Sequence, residues 1–141
     1  MIKTAETDRD IESCYPVMAE LRPHLSAEQF LNQVQMQMQF GYQLSYLETE
    51  SNIVAVAGHR LSHNLAWGKF LYVDDLVTAA QHRSKGYGKQ MLDCLINYAR
   101  QQACQQLHLD SGAQRKDAHR FYEREGLINL GHHYGLELKQ G

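Results

Sequence analysis

The sequence is poor in cysteine and proline, and charge of neither sign dominates it. It has three cysteines and two prolines in 141 residues, with 14 Lys and Arg against 16 Asp and Glu. Cys14, Cys94 and Cys104 are odd in number and match no zinc or redox spacing, so we expect free thiols in a reducing cytoplasm. Nucleic-acid-binding domains usually carry a basic excess, and the net charge of −2 argues against that class.

Long apolar runs are also absent from the sequence. No stretch of about 18 apolar residues occurs, so we expect no membrane span. Residues 1–12, MIKTAETDRDIE, have no apolar core of a secretory signal. A hydrophobic content of 43% with 21% charged residues is typical of a globular protein, and the length predicts one domain over residues 1–141.

Hydrophobic periodicity predicts a mixed α/β domain with the element order β-α-α-β-β-β-α-β-α-β. The predicted strands cover residues 1–5, 42–48, 52–61, 69–77, 106–110 and 127–139. The predicted helices cover residues 8–21, 27–40, 88–104 and 115–125. Pro16 lies inside the first helix and predicts a kink or a late start. The second helix is ambiguous because residues 34–40 also alternate as in a strand, but the capping-box pattern that starts at Ser26 favours a helix.

A basic, glycine-rich segment, QHRSKGYGKQML at residues 81–92, lies between a predicted strand and a predicted helix. Glycine tolerates positive φ and lets an anion approach the backbone closely. The N-terminus of the following helix adds partial positive charge, and Arg83, Lys85 and Lys89 add full charges. The segment therefore predicts an anion-binding corner.

Two common phosphate-binding loops do not fit this segment. A Walker loop requires glycine at position 84 and Ser or Thr at position 90, where this sequence has Ser84 and Gln90. A dinucleotide-binding fingerprint requires a glycine three residues after Gly88, where this sequence has Met91.

The pattern that remains, Arg83-x-x-Gly86-x-Gly88, is similar to the pyrophosphate-binding signature of the GNAT superfamily, the acetyl-CoA-dependent N-acetyltransferases. Its context agrees, because it follows a long strand, opens a helix and precedes the segment AHRFYEREGL at residues 118–127, which resembles a later helix of that family. The resemblance covers nearly the whole chain. It fails at Arg115, where many members have Asn, and at the end of the chain, where one long strand replaces two.

The resemblance implies a GNAT-like fold in which the fourth and fifth strands, the central pair, splay apart beside a bulge. It implies an N-acetyltransferase that moves an acetyl group from acetyl-CoA to a primary amine of a small molecule, peptide or protein by direct attack. Members often form homodimers. The implied acetyl-CoA contacts are backbone groups of the strand end and the basic loop, namely Leu76, Val77, Thr78, Arg83, Ser84, Lys85, Gly86, Tyr87, Gly88 and Lys89.

The acceptor enters as an ammonium and must lose a proton, so a base is needed near the thioester. The resemblance favours Asp74 and then Asp75, and strand alternation predicts that Tyr72, Asp74 and Leu76 share one face. The structural alternative is that one of the two aspartates only marks a bulge. Tyr122, in the segment FYE, matches the family's general acid for the leaving thiolate, with a packed tyrosine as the alternative.

Eight histidines raise the question of a metal site, but no spacing matches a known ligand set, and we expect no metal. His132, His133 and His119 are candidates to line the acceptor pocket, although surface histidines are the simpler interpretation. Four basic residues form a stripe on the last predicted helix, which we interpret as a solvated face, with a contact to the 3′-phosphate of CoA as the alternative. They are Arg115, Lys116, Arg120 and Arg124.

Two other functions stay open from the sequence. A non-catalytic acyl-CoA-binding or sensing domain would have the same fold, because a fold does not determine a function. A nucleotide-binding protein would use the same glycine-rich corner, but the residues of its usual motifs are missing.

Overall fold

The computed structural model describes residues 1–111 and 115–138. Its elements follow the predicted order up to the last helix. The strands are β1 (Ile2–Thr4), β2 (Tyr42–Thr49), β3 (Asn52–Asn64), β4 (Gly68–Thr78) and β5 (Gln106–Leu109). The helices are α1 (Asp8–Leu21), α2 (Ala27–Met38), α3 (Tyr87–Gln101) and α4 (Lys116–Arg124). Residues 1–109 form one unit of the chain, and the part from Asp110 onward forms a second, smaller unit.

Capping boxes start the two N-terminal helices. Thr7 caps α1 and Ser26 caps α2, and each side chain accepts a hydrogen bond from the backbone N–H three residues later. α1 is continuous through Pro16. The strand-like alternation in the second helix does not decide its structure, because α2 is capped and buries Phe30 and Val34, which lie one turn apart on its inner face.

In residues 1–111 the strands form a mixed sheet with the order β1-β2-β3-β4-β5. β1 to β4 pair antiparallel, and β5 pairs parallel with β4. One part of the core joins the sheet to α1 and α2, with Met18 and Phe30 among its buried side chains. The other part joins the sheet to α3 through Met91 and Leu95. The sheet is thus covered by helices on both faces, which leaves strand ends and edges for a site.

A β-bulge at Asp74 reverses the side-chain alternation of β4. Gly58 pairs with Asp75, while the next residue of β3 pairs with Val73, so Asp74 is the extra residue of the ladder. Before the bulge, Val73 packs in the core on the α3 side. After it, Val77 packs in the core on the α1 and α2 side, although the two residues would share one face of a regular strand.

The strand β4 extends beyond β5. The last pair of their parallel ladder joins Val73 to Leu109, and β4 continues from Asp74 to Thr78. In the described part of the chain, this end of β4 pairs with β3 alone. The bulge lies at the first residue of β4 beyond its ladder with β5, and the splaying of the central strand pair stays a prediction.

The predicted last strand is wrong. Residues 127–138 form no strand, and Lys139, the last residue of that prediction, lies outside the described residues. The alternation behind the prediction leaves large apolar side chains exposed, at Ile128, Leu130, Tyr134, Leu136 and Leu138. Alternation shows only which side chains share a face. A strand also needs a neighbouring strand for its backbone hydrogen bonds, and the described sheet includes no ladder to this segment.

Candidate active site

Two adjacent carboxylates, Asp74 and Asp75, line one cavity of about 280 Å³ bounded by α1, α2 and β4. In a regular strand, neighbouring side chains point to opposite faces. Because Asp74 is the extra residue of the bulge, both carboxylates reach the side of the sheet that α1 and α2 cover. The prediction that Leu76 shares the face of Asp74 is wrong for the same reason, since Leu76 packs against the core on the α3 side.

Asp75 is held by two donors. The Tyr42 hydroxyl donates a hydrogen bond of 2.8 Å to Asp75 Oδ2, and Arg22 Nε donates one of 2.9 Å to Asp75 Oδ1. Burial and the Asp75 carboxylate raise the pKa of Tyr42 well above its ordinary value of 10.0, so the hydroxyl stays protonated and can donate. Both oxygens of Asp75 are thus engaged, and the carboxylate has one fixed orientation.

Gly58 makes the contact between Tyr42 and Asp75 possible. A Cβ atom on this residue would lie 1.7 Å from the Tyr42 hydroxyl oxygen and 2.7 Å from Asp75 Oδ2. Any side chain would therefore displace the tyrosine, the aspartate or the backbone of the bulge. Glycine inside a strand often marks a bulge or a close approach, and Gly58 in the run NIVAVAGHRL was that signal in the sequence.

Asp74 has a different partner. Arg60 Nε donates to Asp74 Oδ2 at 3.0 Å and Nη2 donates to Oδ1 at 3.4 Å, while the guanidinium lies 4.8 Å from the centre of the Tyr72 ring. Burial raises the pKa of Asp74 above its ordinary value of 3.8, and the hydrogen bond and charge of Arg60 oppose that rise. A carboxylate whose pKa is raised is a better proton acceptor than an ordinary aspartate.

The rest of the cavity combines apolar and amide side chains. Met18, Phe30 and Val34 supply apolar surface, and Gln33 and Gln37 supply hydrogen-bonding groups. Met18 lies on α1, and the other four residues lie on α2. Arg22, Tyr42 and Arg60 were missed, because nothing in their local sequence indicates that they reach a strand remote in the chain.

The glycine-rich corner starts α3. Gly86 has φ of +82° and is the residue before the first turn of α3, and Ser84 also has positive φ, +66°. A Cβ atom on Gly86 would meet nothing within 4 Å, so the backbone conformation rather than lack of space favours glycine there. Arg83 and Lys85 are exposed, and Lys89 pairs with Asp93 one turn later, at 3.3 Å.

The corner has the features of an anion-binding site. The first N–H groups of a helix have no partner inside the helix, and here no capping side chain serves them. Together with the exposed cations before the helix, they form a site of positive potential. The other predicted contacts, Leu76, Val77 and Thr78, lie at the end of β4 beyond the last residue paired with β5.

Tyr122 lies on α4, in the smaller unit. Burial raises the pKa of its hydroxyl above the ordinary value of 10.0, and the charge of Arg115 opposes the rise. The Phe121 ring lies 5.4 Å from the Tyr122 ring. A phenol of this kind stays protonated at neutral pH and can donate a proton. On the basic stripe of the same helix, Arg120 pairs with Asp117.

The three histidines that were candidates to line an acceptor pocket, His119, His132 and His133, lie in the smaller unit. His132 and His133 are exposed, and His133 Nδ1 lies 3.6 Å from Asp110 Oδ2. Among residues 1–111 and 115–138, no group of three or more His, Cys, Asp or Glu side chains could hold a metal ion. In the same residues, no helix is long and apolar enough to cross a membrane.

Comparison with known proteins agrees with this geometry. The sequence profile of the acetyltransferase (GNAT) family matches residues 6–127. The uncharacterized N-acetyltransferase YhdJ of Bacillus subtilis (strain 168) is 42% identical over 109 residues, which cover 77% of this chain and 77% of that protein.

Solved structures share the fold. The ribosomal-protein-alanine N-acetyltransferase of Brucella melitensis biovar Abortus 2308 superposes with a TM-score of 0.83 at 17% identity, covering 98% of this chain and 99% of that one. The aminoglycoside N-acetyltransferase AAC(6')-Iy in complex with CoA superposes with a TM-score of 0.85 at 10% identity, covering 99% of this chain and 96% of that one.

Proposed function

The chain belongs to the GNAT acetyltransferase family, and we propose that it transfers an acetyl group from acetyl-CoA to a primary amine of a small molecule or peptide. The observation that carries this proposal is the pair Asp74 and Asp75, which lines a cavity at the point where β4 separates from β5. Proton-accepting groups, an acceptor cavity and an open strand edge thus occur at one place in the fold.

The glycine-rich corner has the features needed to hold acetyl-CoA. We assign the pyrophosphate to the N-terminus of α3, where Gly86 adopts positive φ and exposed Arg83 and Lys85 precede the helix. Acetyl-CoA supplies the acetyl group as a thioester. Backbone N–H groups at Leu76, Val77 and Thr78 are the proposed donors to the thioester oxygen, where negative charge develops during attack.

Two groups of the chain handle protons in this proposal. Asp74 takes the proton of the incoming ammonium, directly or through a water, because its pKa is raised. Asp75 orients the amine, because the buried Tyr42 hydroxyl fixes the direction of its carboxylate. Tyr122 returns a proton to the departing sulfur, and burial keeps its hydroxyl protonated until then.

The cavity supports a small acceptor. A volume of about 280 Å³ lies near the lower end of the range for small-molecule sites. Its apolar residues on α2 would contact the carbon skeleton, and Gln33 and Gln37 would bind polar substituents. A homodimer and a cytoplasmic location stay predictions from the sequence.

The first experiment is a thermal-shift comparison of acetyl-CoA, CoA, NADPH and ATP. A ligand that binds only the native state adds about 2.7 kcal/mol at a hundredfold excess over Kd, which raises Tm by several degrees. We expect shifts with acetyl-CoA and CoA alone. No shift with either of them would contradict the assignment of the corner.

The second experiment is a panel of small amines with release of the CoA thiol as readout. We expect turnover with at least one amine and a large loss in D74N, with acetyl-CoA binding unchanged. Binding of acetyl-CoA without turnover on any amine would favour the alternative, a non-catalytic acyl-CoA-binding domain.

A further inference from the structure

Arg22 lines the cavity and lies just after the last turn of α1. Its backbone N–H donates to the Met18 carbonyl and ends the helix. Its guanidinium turns toward β4, where Nε binds Asp75 Oδ1 at 2.9 Å and Nη2 binds the Asp74 carbonyl at 3.0 Å. A carboxylate oxygen and a backbone carbonyl oxygen of the bulge therefore form a cation-binding position, which an internal guanidinium fills.

The two partners of Asp75 differ in how firmly they are held. Tyr42 is only 5% exposed, and its hydroxyl occupies the space that Gly58 leaves open. The side chain of Arg22 is 42% exposed and belongs to the connection between α1 and α2. Asp75 is 14% exposed, so it needs a partner, and Tyr42 remains one when the half-exposed guanidinium leaves for solvent.

The charges around the cavity are balanced only when Arg22 is in its place. Asp74 and Asp75 carry two negative charges, which Arg60 and Arg22 neutralise. Arg60 binds Asp74 but does not line the cavity, whereas Arg22 lines it. Departure of Arg22 leaves one uncompensated negative charge beside the cavity, and one organic ammonium restores the balance.

We propose that Arg22 is a specificity-determining residue of the cavity, whose guanidinium occupies the position that the acceptor's ammonium takes. The acceptor class is thus a cationic primary amine that replaces the guanidinium at Asp75 Oδ1 and the Asp74 carbonyl. Neutral amines and anions lack the charge to do so. The identification of the bound cation as the acetyl acceptor rests on the proposed function. The exchange of cations at Asp75 does not depend on the proposed function.

The test measures binding of methylammonium and methylguanidinium chloride to the protein without acetyl-CoA, by calorimetry, at constant ionic strength set with sodium chloride. The variants are R22A, R22M, which keeps an apolar stem, and R60A. An internal competitor leaves the site open for only a fraction of the time, and the apparent affinity falls in proportion to that fraction. We therefore expect R22A and R22M to bind both cations about 3- to 10-fold more tightly than the wild type.

R60A is the matched control, because it removes the same charge from the same carboxylate pair but vacates no position in the cavity. We expect a clearly smaller gain in R60A, and loss of the gain in the double variant R22A/D75N. Equal affinities in wild type and R22A, or equal gains in R22A and R60A, would overturn the proposal and leave Arg22 as a surface ion pair.

An activity measurement separates this proposal from the proposed function. With an amine that the wild type acetylates, R22A should lower the KM for the amine several-fold and leave the KM for acetyl-CoA unchanged. If no amine is acetylated but R22A gains cation affinity, the cation position stands and the acetyltransferase assignment fails. If an amine is acetylated but R22A raises the KM for that amine, the acetyltransferase assignment stands and the cation position fails.

Discussion

The Tyr42 hydroxyl donates a 2.8 Å hydrogen bond to Asp75, across a gap between β2 and β4 that exists only because residue 58 of β3 is glycine. The contact joins three strands at the bulge. It explains why a buried tyrosine ends in a polar site, since a buried hydroxyl without a partner would destabilise the fold. It also orients the carboxylate that we assign to amine binding.

The first prediction concerns Gly58. In G58A the new Cβ atom would collide with the Tyr42 hydroxyl, so we expect a loss of about 1–3 kcal/mol in the free energy of unfolding, as for overpacked cores. Urea denaturation measures it. The double variant G58A/Y42F should recover part of the loss, because the nearest colliding atom is gone. A G58A protein as stable as the wild type would show that the backbone at the bulge shifts to accommodate the Cβ atom without a loss of stability.

The second prediction concerns Arg60 and the pH dependence of acetyl transfer. Arg60 lowers the pKa of Asp74, against the rise caused by burial. A base must be deprotonated to act, so activity falls as pH decreases through the pKa of Asp74. In R60A that pKa rises further, and the acidic limb of the kcat/KM profile should move to higher pH.

The D74N variant provides the comparison for this profile. The D74N profile should have no acidic limb. Its rate should be about 10²- to 10⁴-fold lower than that of the wild type, which is the usual contribution of a general base. An R60A profile identical to that of the wild type would exclude Asp74 as the group that titrates.

The third prediction concerns stability at low pH. His59 is 3% exposed, its Nε2 lies 2.9 Å from Ser45 Oγ, and burial lowers its pKa from 6.5 to about 4. Between these values the unfolded chain binds the proton and the folded chain does not. Stability is therefore lost as pH falls from about 6.5 to about 4, by roughly 2 kcal/mol between pH 7 and pH 5.

H59Q isolates this contribution, because glutamine can hydrogen-bond to Ser45 and does not titrate. The difference in unfolding free energy between wild type and H59Q should change by that amount between the two pH values. A difference that is independent of pH would mean that His59 has the same pKa in the folded and in the unfolded chain.

The fourth prediction concerns the glycine-rich corner. Gly86 and Gly41 have φ of +82° and +96°, and a Cβ atom on either would meet nothing within 4 Å. Alanine at either position should therefore cost a similar free energy of unfolding, about 1–2 kcal/mol, from backbone strain alone. Acetyl-CoA should bind more weakly to G86A only, because Gly41 precedes β2 and is not part of the corner. Equal effects of both variants on acetyl-CoA binding would contradict the corner as its site.

Most elements could be predicted from local patterns, and the exceptions have physical causes. Capping residues and 3.6-residue periodicity identify α1 and α2 because a helix satisfies its hydrogen bonds within its own segment. The segment 127–138 alternates like a strand but is not one, because strand formation depends on a neighbour that alternation does not supply. Asp74 and Asp75 line one cavity although alternation places neighbouring side chains on opposite faces, and the sequence could not show this because a bulge is a property of two paired strands.

The sequence by itself determined the glycine-rich corner, the element order up to α4 and the family, because each depends on residues close together in the chain or on their similarity to known proteins. The tertiary structure alone decided that Arg22, Tyr42 and Gly58 meet Asp75, since these residues are 53, 33 and 17 positions away from it in the sequence. Their encounter follows from the shift in register between β3 and β4, a relation between strands that no single segment contains.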